Sequence, residues 1–160
     1  MFEFREKNNP KLDSRGFCGV AILDPKHESN IGVLARSSMI FGVSFFATIG
    51  KQRYKSMSSD TTKSWKHVPF FHFNNFEDFQ DHRPKDCKLV GVELTNDSIN
   101  LQSFCHPERA IYLLGSEDHG IPSCYFSVLD KMIKIDTKLN ISLNVSVAGS
   151  IVLYDRLLKQ

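Results

Sequence analysis

The sequence predicts an α/β fold in which a mainly parallel sheet is flanked by helices. Two observations carry this reading. Short runs of apolar residues without polar alternation recur along the chain, as in strands buried on both faces. They alternate with helix-forming stretches, which is the rhythm of strand–helix–strand units. Phe17 to Leu23 reads as a buried strand that ends at the turn Asp24-Pro25. Asn30 stands where a helix N-cap is expected, ahead of a helix from Ile31 to about Phe41. Val43 to Ile49 is a second strand, closed by Gly50, and Lys51 to Lys66 is a loop longer than a plain connection needs. Phe70 to Phe73 reads as a strand and Phe76 to Gln80 as a short amphipathic helix. Lys88 to Leu94 and Arg109 to Leu114 are strands, and a helix begins near Pro122. A strand from Met132 to Ile135 and a last helix from about Leu143 to Leu158 complete the series.

With 160 residues, 41% of them hydrophobic and 24% charged, the chain is read as one globular domain over residues 1–160. No apolar run approaches the roughly 18 residues that span a bilayer. The N-terminus is charged from the start and lacks the apolar region of a secretory signal, so a cytoplasmic protein with no membrane partner is expected. Cys18, Cys87, Cys105 and Cys124 form no CxxC pair, and the histidines form no HExxH or Cys/His cluster. Neither a disulfide frame nor a metal site is therefore expected. The sequence has no GxGxxG after a strand and no GxxxxGK[ST], and Gly115 to Gly120 lacks the GxSxG spacing of a hydrolase nucleophile.

Net charge is only +2, but it is unevenly spread. Lys51, Arg53, Lys55, Lys63 and Lys66 face the single acid Asp60, a local +4 that suits a phosphate footprint or an ordinary solvated loop.

Three clusters stand out. In Asn30 to Arg36 an arginine sits in an otherwise apolar helix, so it is expected to be paired or functional. Its side chain leans over position 32, where Gly32 leaves a slot toward the helix N-terminus and Asn30. That arrangement suits an anion or oxyanion, and a structural Arg–carboxylate pair with a plain Asn cap fits equally. In Leu113 to Pro122 a strand runs into Gly115, then polar residues, then Gly120, at the strand end where α/β proteins bind ligands. Glu117 there is placed to anchor Asn30 or Arg36. In Asn140 to Ile151, Ser142, Asn144 and Ser146 open a helix whose small residues permit close packing.

Together these clusters resemble the three motifs of the SpoU/TrmH branch of the SPOUT RNA methyltransferases. The match is N-x-G-x-x-x-R at Asn30, Gly32 and Arg36, L-G-x-E-x-x-G-I from Leu114 to Ile121, and S-L-N-V-S-x-A from Ser142 to Ala148. The resemblance covers about Gly16 to Leu158. It implies a C-terminal trefoil knot, an exception to the rule against threaded chains, binding of S-adenosylmethionine in the knot, and a homodimer. It further implies methyl transfer to a ribose 2′-hydroxyl of RNA, tRNA rather than rRNA, with no separate RNA-binding domain. Carried over by position, Arg36, Asn30, Glu117, Ser142 and Asn144 are the catalytic candidates. Leu94, Thr95, Gly115, Ile135, Ser142 and Leu143 fall at cofactor positions. Arg36, Lys51, Arg53, Lys55, Lys63 and Lys66 are expected to bind RNA, with Tyr54 or Trp65 stacking on a base. Asp136 stands where the family usually has proline, and an altered loop is expected there. A non-catalytic RNA-binding dimer of the same fold and a base-methylating SPOUT enzyme are the alternatives.

Overall fold

The computed structural model describes residues 16–54 and 59–160. The elements in chain order are β1 (Cys18–Leu23), α1 (Glu28–Ile40), β2 (Phe45–Ile49), β3 (Phe70–Phe73), α2 (Phe76–His82), β4 (Lys88–Val92), β5 (Ile99–Asn100), β6 (Ala110–Leu114), β7 (Lys131–Lys134) and α3 (Val145–Lys159). The strands form one sheet of order β3-β2-β1-β6-β4-β7-β5, and every pairing is parallel. β6, in the middle, is buried along its whole length.

Both faces of the sheet are covered, which explains the uninterrupted apolar runs. In β1, Val20 and Ile22 join one core with Ile31, Leu34 and Val152, beneath α1 and α3. Ala21 and Leu23 join the other, with Phe76 and Phe79 of α2 and with Ile121. Each such fully buried side chain contributes about 1.5–3 kcal/mol to the driving force. The helices α1 and α3 lie side by side: Ser150 Oγ meets Ser37 Oγ at 2.8 Å, and Gly149 rests against Leu34.

Several boundaries differ from the sequence reading. α1 starts at Glu28 with His27 as its N-cap, so Asn30 lies in the first turn and does not cap the helix. α1 is also buried on one face only, with Val33, Arg36 and Ile40 exposed. The stretch after Pro122 is a 3-10 segment, Ser123–Val128, and the short strand β5 was invisible in the pattern because only two residues pair.

The C-terminus of α3 is fastened by a buried cation. Arg156, 4% exposed, donates to the carbonyls of Pro107 (2.6 Å) and Glu108 (2.7 Å) and to the Tyr112 hydroxyl (3.1 Å). The Tyr112 hydroxyl meets His106 Nδ1 at 2.5 Å, and His106 Nε2 meets Asp155 at 2.8 Å. Truncation by Arg156→Ala removes the buried guanidinium from two part-buried carbonyls and from the Tyr112 hydroxyl and opens a cavity, so it is expected to lower unfolding free energy by roughly 2–5 kcal/mol. An unchanged urea midpoint would show that the carbonyls are solvated instead.

Candidate active site

β6 delivers the chain at the C-terminal end of the sheet's centre, where a parallel sheet opens to ligands. The loop that follows is a tight arch. Ser116 and Gly120 exchange backbone hydrogen bonds of 3.2 and 3.0 Å. The arch closes over Gly115 so tightly that a Cβ there would lie 2.0 Å from the Gly120 carbonyl carbon. Gly120 has φ +63°, a conformation that side chains resist.

Two carboxylates hold the arch from opposite ends. At the end of β4, Glu93 accepts from Ile121 N–H (2.7 Å) and from Leu94 N–H (3.1 Å), and it occupies the space that a side chain at Gly120 would need. At the crown, Glu117 accepts from the backbone N–H groups of Lys26 (2.9 Å) and His27 (3.3 Å) and from Asn30 Nδ2 (2.7 Å). Glu117 thus fastens the distant arch to the N-cap residue of α1 and to the residue before it, beside the positive end of the helix dipole. Burial alone would raise the Glu117 carboxyl, but the bonds from Asn30, Lys26 and His27 outweigh it and hold its pKa below the ordinary value.

A carboxylate only accepts, so Asn30 must turn its amide nitrogen to Glu117, which leaves its oxygen for Asn144 Nδ2 at 3.0 Å. Asn144 in turn caps α3, accepting from Ser146 N–H (2.9 Å) and Ser146 Oγ (2.7 Å). One continuous chain, Glu117–Asn30–Asn144–Ser146, therefore joins the three segments singled out in the sequence.

Beside this chain lies a cleft of about 280 Å³. Gly115 and the arch form one wall, Leu94 and Ile135 mark the ends of β4 and β7, and Ser142 and Leu143 close the far side. These are five of the six positions expected to meet a cofactor. Thr95 is not among the lining residues: its hydroxyl meets Ser98 Oγ at 2.7 Å, and its carbonyl accepts from Lys134 Nζ at 3.3 Å. Of the catalytic candidates, Glu117 and Ser142 line the cleft and Asn30 and Asn144 stand behind it through their hydrogen bonds.

Arg36 does not reach this group. It is exposed and lines no part of the cleft. The slot over Gly32 is occupied by Ser59, whose Oγ donates to the Ser29 carbonyl at 3.0 Å and would lie 2.0 Å from a Cβ on Gly32. Glu93 was missed by the sequence reading, although an acid directly after the buried run of β4 is a carboxylate at a strand's ligand-binding end. Asp136, in the place of the family's proline, accepts from the Asn100 side-chain amide and so ties its loop to β5.

Lys51, Arg53, Lys63 and Lys66 are all exposed, and Lys55 lies outside the described residues. Asp60 does not neutralise them. It is buried and accepts from Ser64 N–H, Ser64 Oγ and Thr62 Oγ1 at 2.7–2.8 Å, shaping the loop from within. Tyr54 is half-buried and donates to the Pro25 carbonyl, so it is not free to stack, whereas Trp65 is 53% exposed beside the Lys66 ammonium. Among the described residues no three His, Cys, Asp or Glu side chains gather as a metal site, and no helix is long and apolar enough to cross a membrane.

Residues 18–154 match the family model described as the SpoU rRNA Methylase family. The chain is 26% identical over 162 aligned positions to the tRNA (guanosine(18)-2′-O)-methyltransferase TARBP1 of Mus musculus, covering 96% of this chain and 10% of that protein. It thus spans about a tenth of that relative. Among solved structures, the SpoU methyltransferase AviRb from Streptomyces viridochromogenes in complex with AdoMet aligns with a TM-score of 0.80 at 21% identity, over 91% of this chain and 58% of that one. The A. aeolicus TrmH/SpoU tRNA modifying enzyme aligns with a TM-score of 0.79 at 22% identity, over 93% and 79%. At these identities the two structures establish the shared fold.

If the arch is held as described, Glu117→Ala unfastens its crown. Amide exchange at Lys26 and His27 should then speed up by roughly 10- to 100-fold, the worth of a hydrogen bond to a charged group. Exchange at Ile121, held by Glu93, should stay as it was. Equal acceleration at all three amides would mean the arch is not fastened at two independent points.

Proposed function

The chain belongs to the SpoU rRNA methylase family, and we propose that it transfers a methyl group from S-adenosylmethionine to a ribose 2′-hydroxyl of RNA, with tRNA the preferred substrate. The observation that carries this is the single hydrogen-bonded chain from Glu117 through Asn30 to Asn144, which draws the three motif segments around one cleft. The tRNA preference leans on the murine relative, whose name specifies a tRNA guanosine 2′-oxygen.

The cleft suits that cofactor chemically. Leu94, Ile135 and Leu143 offer apolar surface for a purine, and Glu93, Glu117 and Asp118 give an acidic lining to a ligand that carries a cationic sulfur. When bound, S-adenosylmethionine supplies an already activated methyl group. The protein then has to hold a weak nucleophile in line and ease loss of its proton. Glu117 is committed to Asn30 and to the start of α1, so its part is to orient and not to exchange protons. Ser142, exposed at the cleft edge, is available to the ligand.

Arg36 stands apart from its own cleft, so it serves the acceptor from a second copy of the chain, binding the phosphate next to the ribose and stabilising negative charge on the 2′-oxygen. Its guanidinium presents a planar fork that matches phosphate. Its exposure supports this use, since it is open to a polyanion.

Dimerisation is part of the same proposal. Val33 on α1 and Val147 and Tyr154 on α3 are 43–51% exposed and flank an apolar groove of about 270 Å³. Such a strip is what a second copy of the chain would cover. Arg36 follows Val33 by three residues, so interface and phosphate ligand lie side by side. A C-terminal trefoil knot is supported by the path of the chain, which runs from β6 past β4 to β7 and returns to set α3 against α1. Four free thiols, two buried and two exposed, are in keeping with a reducing, cytoplasmic setting.

Incubation with methyl-labelled S-adenosylmethionine and bulk tRNA should label the RNA, and alkaline hydrolysis should leave a resistant dinucleotide at the modified ribose. Label in hydrolysable nucleotides would point to base methylation, and cofactor binding without label would point to a non-catalytic RNA-binding dimer. Arg36→Lys should lower kcat at saturating RNA by roughly tenfold or more, as the loss of a donor to developing charge does. Near-normal turnover would refute the need for a planar fork. The combined change Lys51→Ala, Arg53→Ala and Lys63→Ala should flatten the salt dependence of RNA affinity by about 0.7 per lost phosphate contact. An unchanged slope would remove the basic loop from the interface.

A further inference from the structure

A second cleft, of about 430 Å³, opens on the other side of the arch. The two clefts share one wall, the arch residues Ser116, Asp118, His119 and Gly120. Beyond that wall their linings differ: the first is built by the ends of β4 and β7 and the approach to α3, the second by the ends of β1 and β2. The methyl-donor reading uses only the first.

The second cleft has an apolar floor and a polar rim. Leu23, Pro25, Pro122 and the backbone of Gly50 form the floor, apolar groups against which a ring can pack. Around it stand Asp24, Lys26, Lys51, Gln52, Asp118 and His119. Lys26 is already matched, since its Nζ lies 2.6 Å from Asp118, while Asp24 rests against Gly50. Lys51 has no ion pair among the described residues and is the cation open to a phosphate, and the Gln52 amide, with one donor and one acceptor end, is able to read a base edge.

Position links the two clefts. Lys26 lines the second cleft, while its own backbone N–H donates to Glu117, which lines the first. The sugar of a ring seated in the second cleft can thus approach the arch at Lys26, next to the Glu117 that lines the first cleft. RNA is read chiefly through unstacked bases laid on flat surfaces and bonded at their edges.

We propose that this second cleft seats the base of the nucleotide whose ribose is methylated, with Gln52 reading the base edge and Lys51 taking a flanking phosphate. The inference rests on the methyltransferase reading for the identity of the first cleft, and it gives the acceptor a separate site. The arch then divides donor from acceptor, and its two fastenings set the distance between them.

The test is a titration of isotope-labelled protein, saturated with S-adenosylhomocysteine, with each of the four ribonucleoside 5′-monophosphates and with ribose 5-phosphate, followed by amide NMR. At least one nucleotide is expected to move the signals of Gly50 and Gly120 and leave those of Ile135 and Leu143 in place. Gln52→Ala should shrink the spread of affinities among the four bases by roughly tenfold, the usual worth of one good edge contact. Lys51→Glu should weaken all four alike and leave that spread intact. Ribose 5-phosphate shifting Gly50 and Gly120 as strongly as the nucleotides would overturn the proposal, as would nucleotides that move neither signal. The preceding addition of S-adenosylhomocysteine tests the underlying reading on its own, because it must shift Ile135 and Leu143 before any nucleotide is added.

Discussion

The carboxylate of Glu117 is the constraint on which the rest of the site depends. α1 begins without a side-chain cap from His27, and a carboxylate beside a helix start is favoured by the positive end of the dipole. Glu117 meets the Lys26 and His27 amides from about ninety residues further along the chain. The need is mutual. A partly buried carboxylate is costly without donors, and the helix start provides them together with the positive end of its dipole. Satisfying both requirements fixes the arch against α1, and Asn30 passes the constraint to Asn144 and so to the start of α3.

Glu93 complements this at the other end of the arch. Its two oxygens bind one N–H on β4's exit and one on the arch's exit, so the mouth of the cleft is set by a rigid carboxylate bridge. The glycines follow from that geometry. Gly115 is bare because the arch closes on it, and Gly120 is bare because Glu93 fills the space and the backbone there is left-handed. What looks in sequence like a glycine-rich turn is a closely fitted strap whose shape is dictated by two acids.

The strands were legible because sheet burial on both faces leaves little freedom in composition: the runs at β1, β2 and β6 are buried throughout, and Thr48 is the one short polar side chain among them. Local patterning failed where the partner is remote. Asn30 has the chemistry of a cap and was read as one, yet it lies within the first turn and uses its amide to relay between Glu117 and Asn144. Gly32 was rightly seen as a place of close approach, but the visitor is Ser59 and not the arginine one turn on. Arg36 was expected to be buried because its neighbours are apolar. In fact Val33 and Ile40 share its exposure, so the apolar run of that helix does not mark a face buried within the chain. The His106–Tyr112–Arg156 network was equally unreadable, since its members are scattered between positions 106 and 156 and none forms a motif.

The near-zero net charge conceals a division of labour. The first cleft is lined by Glu93, Glu117 and Asp118, while the exposed loop beyond β2 presents Lys51, Arg53, Lys63 and Lys66. In water at physiological salt such fields fade over about 8 Å. Two oppositely charged patches on one small domain can therefore act almost independently. Asp60 makes the division work: with its carboxylate turned inward onto Ser64 and Thr62, it shapes the basic loop without cancelling its surface charge. An acid in the same sequence position but turned outward would leave the composition unchanged and weaken the patch. The charge that matters for binding is thus decided by where Asp60 points, a property that the net count of +2 cannot express.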